Sequence, residues 1–407
     1  MRSLTRRGRV TLALGGLTYL AAWAFGATAL YPVSIGLVAA CLLGATAVRL
    51  SSGKARVRRE LGAEEHIEGD DVTVRAELDV ASTLQAAPVR LLEQVGRLGL
   101  REVALRRKGG RLRSSYTLRA VPRGRYSFQG GRALVEDPFG LARSELPLPP
   151  AGALVVLPRL AEVDRLFSEA GSGPPGGGRL LLRRPSGFDL HSVREYEYGE
   201  SLRKVHWPST ARRGALMVRE LEDDPRDDVA VLLDAHDGGA IRSFPSSTFD
   251  VQVRVAGSIL RSHLRRGRRA LLVVSSAQIL SVSAHSSEGD WRAALALLAA
   301  AEPTGTRSAA TLIADEGGPL GRAQELAVVT AAVSRQLVDR LTARVLERRS
   351  VSLVLVDPAS LATPSRSTRD PGLLRLAAAG VPVRVVRRGD DLGAVLAAPP
   401  ELRRARV

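Results

Sequence analysis

His206, with Asp234 or Glu200 to orient its ring, is the group of side chains in this 407-residue chain best suited to proton transfer. Imidazole titrates near neutrality, so it can take up and return a proton, and a neighbouring carboxylate fixes its tautomer. Arg203 and Arg212 lie on either side of His206 and carry the charge needed to hold an anion. Together these residues describe a hydrolase-like enzyme. The structural alternative is a packed, hydrogen-bonded His206–Trp207 pair. In the same alternative, the arginines between Arg203 and Arg219 pair with Glu195, Glu200, Glu220 and Glu222 to form a connector between domains. No nucleophile–base set is evident from spacing, so a non-enzymatic interaction module ranks first and the hydrolase second.

Asp234 and Asp357 follow the apolar runs Val229–Leu233 and Val351–Val356 directly. Carboxylates beyond the carboxyl ends of parallel strands stand where α/β sheets bind ligands, although the same position also suits a turn or helix cap. The stretch Gly171-Ser172-Gly173-Pro174-Pro175-Gly176-Gly177-Gly178 has no Gly-Lys-Ser/Thr ending and no helix after it. It reads as a linker rather than a phosphate-cradling loop. Cys41 is the single cysteine, which excludes an intrachain disulfide and a cysteine-based zinc site and fits a reducing compartment.

These candidates need elements to hold them. From residue 229 onward apolar runs alternate with helical stripes. Val229–Leu233 is a strand buried on both faces, and Phe249, Val253, Ala256, Leu260 and Leu264 form a helix face with Ser247 or Thr248 as its cap. Ala270–Ser275 and Ile279–Ala284 read as strands joined by a short turn. Leu326–Thr330, Val351–Val356 and Val381–Val386 follow, with helices at Trp291–Ala301, Val333–Arg349 and Pro371–Ala379. The pattern predicts a doubly wound, mostly parallel sheet.

Residues 55–165 differ. Val72–Val80 alternates apolar and polar residues, and Val89–Leu92, Leu112–Ala120, Arg125–Phe128 and Leu154–Leu157 are short runs punctuated by Gly and Pro. They predict a small antiparallel, sandwich-like domain, with a turn at Asp137-Pro138-Phe139-Gly140.

Val10 to Val48 contains no charged residue. Tyr31-Pro32 divides it into Val10–Leu30, long enough to cross a bilayer, and Val33–Val48, which is marginal. Arg2, Arg6, Arg7 and Arg9 precede it and Arg49, Lys54, Arg56, Arg58 and Arg59 follow it, so both ends stay cytosolic and the segment is a two-helix hairpin. A signal peptide cleaved near Gly26-Ala27-Thr28-Ala29 is the alternative, opposed by the apolar residues beyond that point. The flanks account for much of the net charge of +17, and aromatics are only 4% of residues. Neither a concentrated basic face nor a stacking platform remains for nucleic acid, and no nucleic-acid partner is expected. The expected organisation is 1–54 hairpin, 55–165 β-rich domain, 166–186 linker, 187–225 connector and 226–400 α/β domain.

The connector carries the most distinctive residues: Arg194-Glu195-Tyr196, Gly199-Glu200, Arg203, His206-Trp207 and Ser209-Thr210-Ala211-Arg212. With Arg123-Gly124-Arg125-Tyr126 and Asp137-Pro138-Phe139-Gly140-Leu141 upstream, the chain resembles the domain of unknown function 58 family. The apolar segment and its basic flanks predict a multi-pass inner-membrane protein of bacterial type with cytosolic domains, and the resemblance implies a membrane hairpin, a β-rich module and a von Willebrand factor A-like domain. It also implies a role in binding or assembly alongside a MoxR-type AAA+ ATPase. Two departures stand out. The family's Gly-Asp is Gly199-Glu200 here. The Asp-x-Ser-x-Ser metal motif of von Willebrand A domains reads Asp234-Ala235-His236-Asp237-Gly238, with both serines missing. Two carboxylates without the hydroxyls fall short of the oxygen set that Mg²⁺ takes, so no metal or cofactor is expected.

Overall fold

A computed structural model describes residues 4–61, 65–81, 87–108, 111–128, 130–150, 152–169, 190–195, 205–221, 229–236, 247–285, 287–362 and 371–399. The chain forms two compact units, Met1–Arg159 with Leu298–Ala300, and Leu160–Leu297 with Ala301–Val407.

The first unit begins with a helical hairpin, α1 (Arg6–Phe25) and α2 (Tyr31–Ser51). Thr5 caps α1 by accepting a hydrogen bond from Gly8 N at 3.1 Å, and Gly26, at φ +62°, ends it in the left-handed conformation that glycine tolerates. A single 3₁₀ turn, Thr28–Leu30, leads into α2. The chain therefore reverses at Gly26–Leu30 and not at Tyr31-Pro32. Pro32 lies in the first turn of α2, where its missing N–H has no partner to lose. The ranking of the two apolar segments is also reversed. Among the described residues, Thr28–Ser51 is the one helix long and apolar enough to cross a membrane, whereas α1 has Arg6, Arg7 and Arg9 in its first turn.

Ten strands follow: β1 (Lys54–Leu61), β2 (His66–Ile67), β3 (Val72–Ala81), β4 (Val89–Gln94), β5 (Leu100–Lys108), β6 (Arg111–Leu118), β7 (Gly124–Ser127), β8 (Arg132–Glu136), β9 (Arg143–Pro147) and β10 (Ala153–Leu157). Seven form a curled antiparallel sheet in the order β1-β3-β6-β5-β4-β8-β9, and β2-β10-β7 form a small mixed sheet. Alternation places Ala76, Leu78, Val89, Leu91, Leu105, Leu112, Ala133 and Val135 in one core. Val48 of α2 is part of the same core, so the hairpin and the sheet share hydrophobic packing.

The second unit contains β11 (Leu190–Glu195), α3 (Trp207–Arg213) and β12 (Met217–Leu221), with β11 and β12 antiparallel. Its main sheet is built from β13 (Val229–Leu233), β14 (Ala270–Ser275), β15 (Ile279–Ala284), β16 (Glu325–Thr330), β17 (Ser350–Val356) and β18 (Val383–Val386). Their order is β15-β14-β13-β16-β17-β18, parallel throughout except for the antiparallel edge strand β15. Interspersed are α4 (Thr248–Arg265), α5 (Glu288–Ala300, whose last three residues are grouped with the first unit), α6 (Ala309–Ala314), α7 (Arg335–Leu346), α8 (Pro358–Ala362), α9 (Pro371–Ala378) and α10 (Leu392–Ala397). All five residues of β13 are buried, which explains its unbroken apolar run. Ser247 caps α4 in a reciprocal box. Its hydroxyl accepts from Asp250 N at 3.2 Å, and the Asp250 carboxylate accepts from Ser247 N at 3.0 Å. The Gly/Pro-rich linker lies outside the described residues apart from its first four positions.

Candidate functional site

Strand order reverses between β14-β13 and β13-β16, so Asp234 stands at the carboxyl edge of the sheet where the two halves diverge. The residue is only 9% exposed. Oδ2 accepts from the Thr330 hydroxyl at 2.8 Å, and Oδ1 accepts from the Ser275 hydroxyl and from His236 N, both at 3.2 Å. Ser275 Oγ in turn accepts from Ala235 N at 2.8 Å. The side chain thereby ties together the ends of β13, β14 and β16. Ser275 and Thr330 were not foreseen as site residues, yet each is the one polar residue closing an apolar strand, the same signal that singled out Asp234. Asp237 lies outside the described residues, and among those described no three His, Cys, Asp or Glu side chains gather closely enough to hold a metal. Both oxygens of Asp234 are already engaged by hydrogen-bond donors.

Asp357, at the end of β17, is 7% exposed and accepts Ala359 N at 3.0 Å through Oδ1, a turn that opens α8. Its Oδ2 is buried without a hydrogen-bond partner among the described residues.

The signature segment is described in part. Arg194 lies on β11, paired in register with Val218 of β12, while Tyr196, Gly199, Glu200 and Arg203 fall outside the described residues. His206 is at the N-cap position of α3, and its Nδ1 lies 2.7 Å from Ser209 Oγ. The turn is held to β12 by His206 N donating to Met217 O at 2.7 Å and Met217 N donating to Thr210 Oγ1 at 3.0 Å. Trp207 is 65% exposed, which overturns the packed His206–Trp207 pair: the imidazole finds its partner on Ser209, and the indole faces outward. Arg212 and Arg213 are exposed on the same short helix. Among the described residues no hydrogen bond joins His206 to Asp234, so the structure does not bring that candidate pair together. A hydroxyl against an imidazole is a nucleophile–base arrangement in principle, and spacing three residues apart on a helix was the signal available for it.

The hairpin is the third candidate locus. Gly8, Gly15 and Ala22 recur every seven residues along the buried face of α1, and Ser34, Cys41 and Val48 do the same on α2. Ser34 Oγ donates to Gly15 O at 2.8 Å and Cys41 Sγ donates to Gly8 O at 3.5 Å. Small residues with interhelical hydrogen bonds are what lipid-embedded helices pack with, since lipid supplies no hydrophobic drive to bring them together. The opposite faces expose Leu14, Leu17, Trp23, Phe25, Ile35, Leu42 and Leu43. An apolar surface of that extent marks a membrane or partner interface.

Residues 192–370 match the family model described as "Protein of unknown function DUF58". Uncharacterized protein YeaD of Bacillus subtilis (strain 168) is 28% identical over 156 residues, a stretch covering 38% of this chain and 37% of that protein. The match thus spans little more than a third of this relative's length. Among solved structures, Cwp6 from Clostridium difficile is similar over 74% of this chain and 37% of that one, with 9% identity and a TM-score of 0.19, too low to support a structural argument.

Proposed function

We propose that the protein is a membrane-tethered interaction or assembly module whose two soluble units face the cytosol. Both hairpin helices cross the inner membrane in this reading, and the soluble part comprises a sandwich-like β domain and a von Willebrand factor A-like docking domain. The observation that carries the proposal is the hairpin: large apolar side chains line its outer faces while Val48 is locked into the β-sheet core. The basic residues flanking both ends support the orientation. On the second unit, Trp207 stands exposed beside Arg212 and Arg213, the residue types that dominate protein–protein hot spots. The family resemblance makes a MoxR-type AAA+ ATPase the partner of choice. Affinity purification of the full chain from detergent-solubilised membranes tests this: an AAA+ ATPase should co-purify with the parent and be lost with Trp207→Ala. Recovery of no ATPase with the parent would overturn the partner assignment.

A second reading rests on the 2.7 Å contact between His206 Nδ1 and Ser209 Oγ. It makes the chain a hydrolase with Ser209 as nucleophile and His206 as base. A fluorophosphonate probe should label the parent and not Ser209→Ala in that case; an unlabelled parent removes this reading.

A further inference from the structure

The loop between β8 and β9 is built against the base of the hairpin. Thr5 N donates to Leu141 O at 2.9 Å, Thr5 Oγ1 donates to Gly140 O at 2.7 Å, and Leu4 bridges Ala142. The buried Asp137 carboxylate holds the loop closed, accepting from Ala142 N through Oδ1 and from Phe139 N at 3.0 Å through Oδ2. Gly140, at φ +70°, completes the turn. What this well-tied loop presents at its tip is Phe139, 75% exposed. A rigid loop that spends its hydrogen bonds on displaying a phenyl ring to solvent needs an explanation.

Hairpin register supplies one. Gly15 faces Ser34 and Gly8 faces Cys41, so in the antiparallel pair Thr5 stands level with Gly44. A β-carbon on Gly44 would lie 3.1 Å from Asp137 Cγ, which sets the loop at that same level, beside the first turn of α1. From Gly8 to Phe25 the helix rises about 25 Å, somewhat less than the ~30 Å hydrocarbon core of a bilayer. A spanning hairpin therefore draws its base down to the membrane boundary and carries Phe139 there. Arg6, Arg7 and Arg9 are exposed at the same level, where cationic side chains meet anionic headgroups.

We propose that Phe139 is an interfacial anchor, inserted at the headgroup–acyl boundary of the cytosolic leaflet, which fixes the depth and tilt of the β-rich unit on the bilayer. Aromatic side chains favour that boundary, and Phe139 adds a third attachment point to the two helices. The proposal rests on the reading that the hairpin spans the membrane.

The test uses the full chain in vesicles of phosphatidylethanolamine and phosphatidylglycerol, with photoreactive p-benzoylphenylalanine placed singly at Phe139, Leu17 or Leu100. Leu17 is 64% exposed on the hairpin. Leu100 is 59% exposed at the end of the β4–β5 pair remote from Ala87, whose N–H donates to Ser51 at the hairpin base. Irradiation should give phospholipid adducts at 139 and 17 and none at 100. Adducts at 17 but not at 139 overturn the anchor and leave the spanning hairpin standing; adducts at neither position overturn the hairpin itself. A protein–protein adduct at 139 in place of lipid would show that a second protein occupies the loop, which also overturns the anchor.

Discussion

Gly8 of α1 packs so tightly on the carbonyl of Leu141 that a β-carbon at position 8 would overlap the Leu141 oxygen. This contact fixes the hairpin's entry into the β-rich unit. Gly8→Leu should force the helix off the β8–β9 loop at a cost of about 1–3 kcal/mol, as overpacking does. Gly16 has nothing within reach of a β-carbon, so Gly16→Leu should be tolerated. Thermal unfolding in detergent micelles, with proteolysis at the loop as a second readout, separates the two variants.

The buried charges of the β-rich unit give a second expectation. Glu93 is fully buried, pairs with Arg59 and accepts from Tyr116 Oη at 2.5 Å. Burial, followed by that hydrogen bond, holds the Tyr116 phenol well above its usual range. Glu93→Leu alone should destabilise by about 3–5 kcal/mol because Arg59 loses its carboxylate in the interior. The double variant Arg59→Met, Glu93→Leu should recover most of the loss. Chemical denaturation of both variants checks this, and a double variant as unstable as the single would contradict it.

Acid sensitivity should arise at His263. Burial, reinforced by the cations of Arg268 and Arg266, lowers its pKa to about 3 from an ordinary 6.5. Its Nδ1 lies 3.1 Å from Arg268 Nη1 and accepts that N–H, as a neutral ring can. Between pH 6.5 and 3 the unfolded chain takes up a proton that the folded chain refuses, so stability falls as pH falls through that window. The slope should reach roughly 1.4 kcal/mol per pH unit for this one group. His263→Gln should show a shallower decline than the parent over the same range when melting is followed against pH.

Asp234 should behave as a structural tie. Asp234→Ala removes the acceptor of the buried Ser275 hydroxyl and leaves Thr330 Oγ1 only Ala332 O, and should cost about 1–3 kcal/mol, whereas Asp234→Asn keeps an oxygen for one of the two hydroxyls and should cost less. Trp207→Ala and Arg212→Ala, at exposed positions, should stay within about 0.5 kcal/mol of the parent while losing the partner. Calorimetry beside co-purification distinguishes the tie from the docking residues.

The central strands of the second unit's main sheet were readable because they are buried on both faces. Val229–Leu233 is apolar without interruption and coincides with β13, and the stripe from Phe249 to Leu264 lies within α4. β1 was hidden because Lys54, Arg56, Arg58, Arg59 and Glu60 look like a solvated collar. Arg59 in fact turns inward to meet Glu93, a partner 34 residues away that no local period can reveal. The hairpin turn was misplaced because proline signals both a turn and a helix start, and Gly26, with its positive φ, decided between them. Ser275 and Thr330 were missed for a related reason. Their meeting with Asp234 spans 41 and 96 positions and exists only once β13, β14 and β16 are side by side.

The topology of the hairpin can be read in intact cells with a membrane-impermeant maleimide on a Cys41→Ala background. Ala29→Cys, exposed at the turn, should label from outside, and Ala343→Cys, exposed on α7, should label only after lysis. Labelling of Ala343→Cys from outside, or protection of Ala29→Cys until lysis, would contradict a hairpin that enters and leaves the membrane on the cytosolic side.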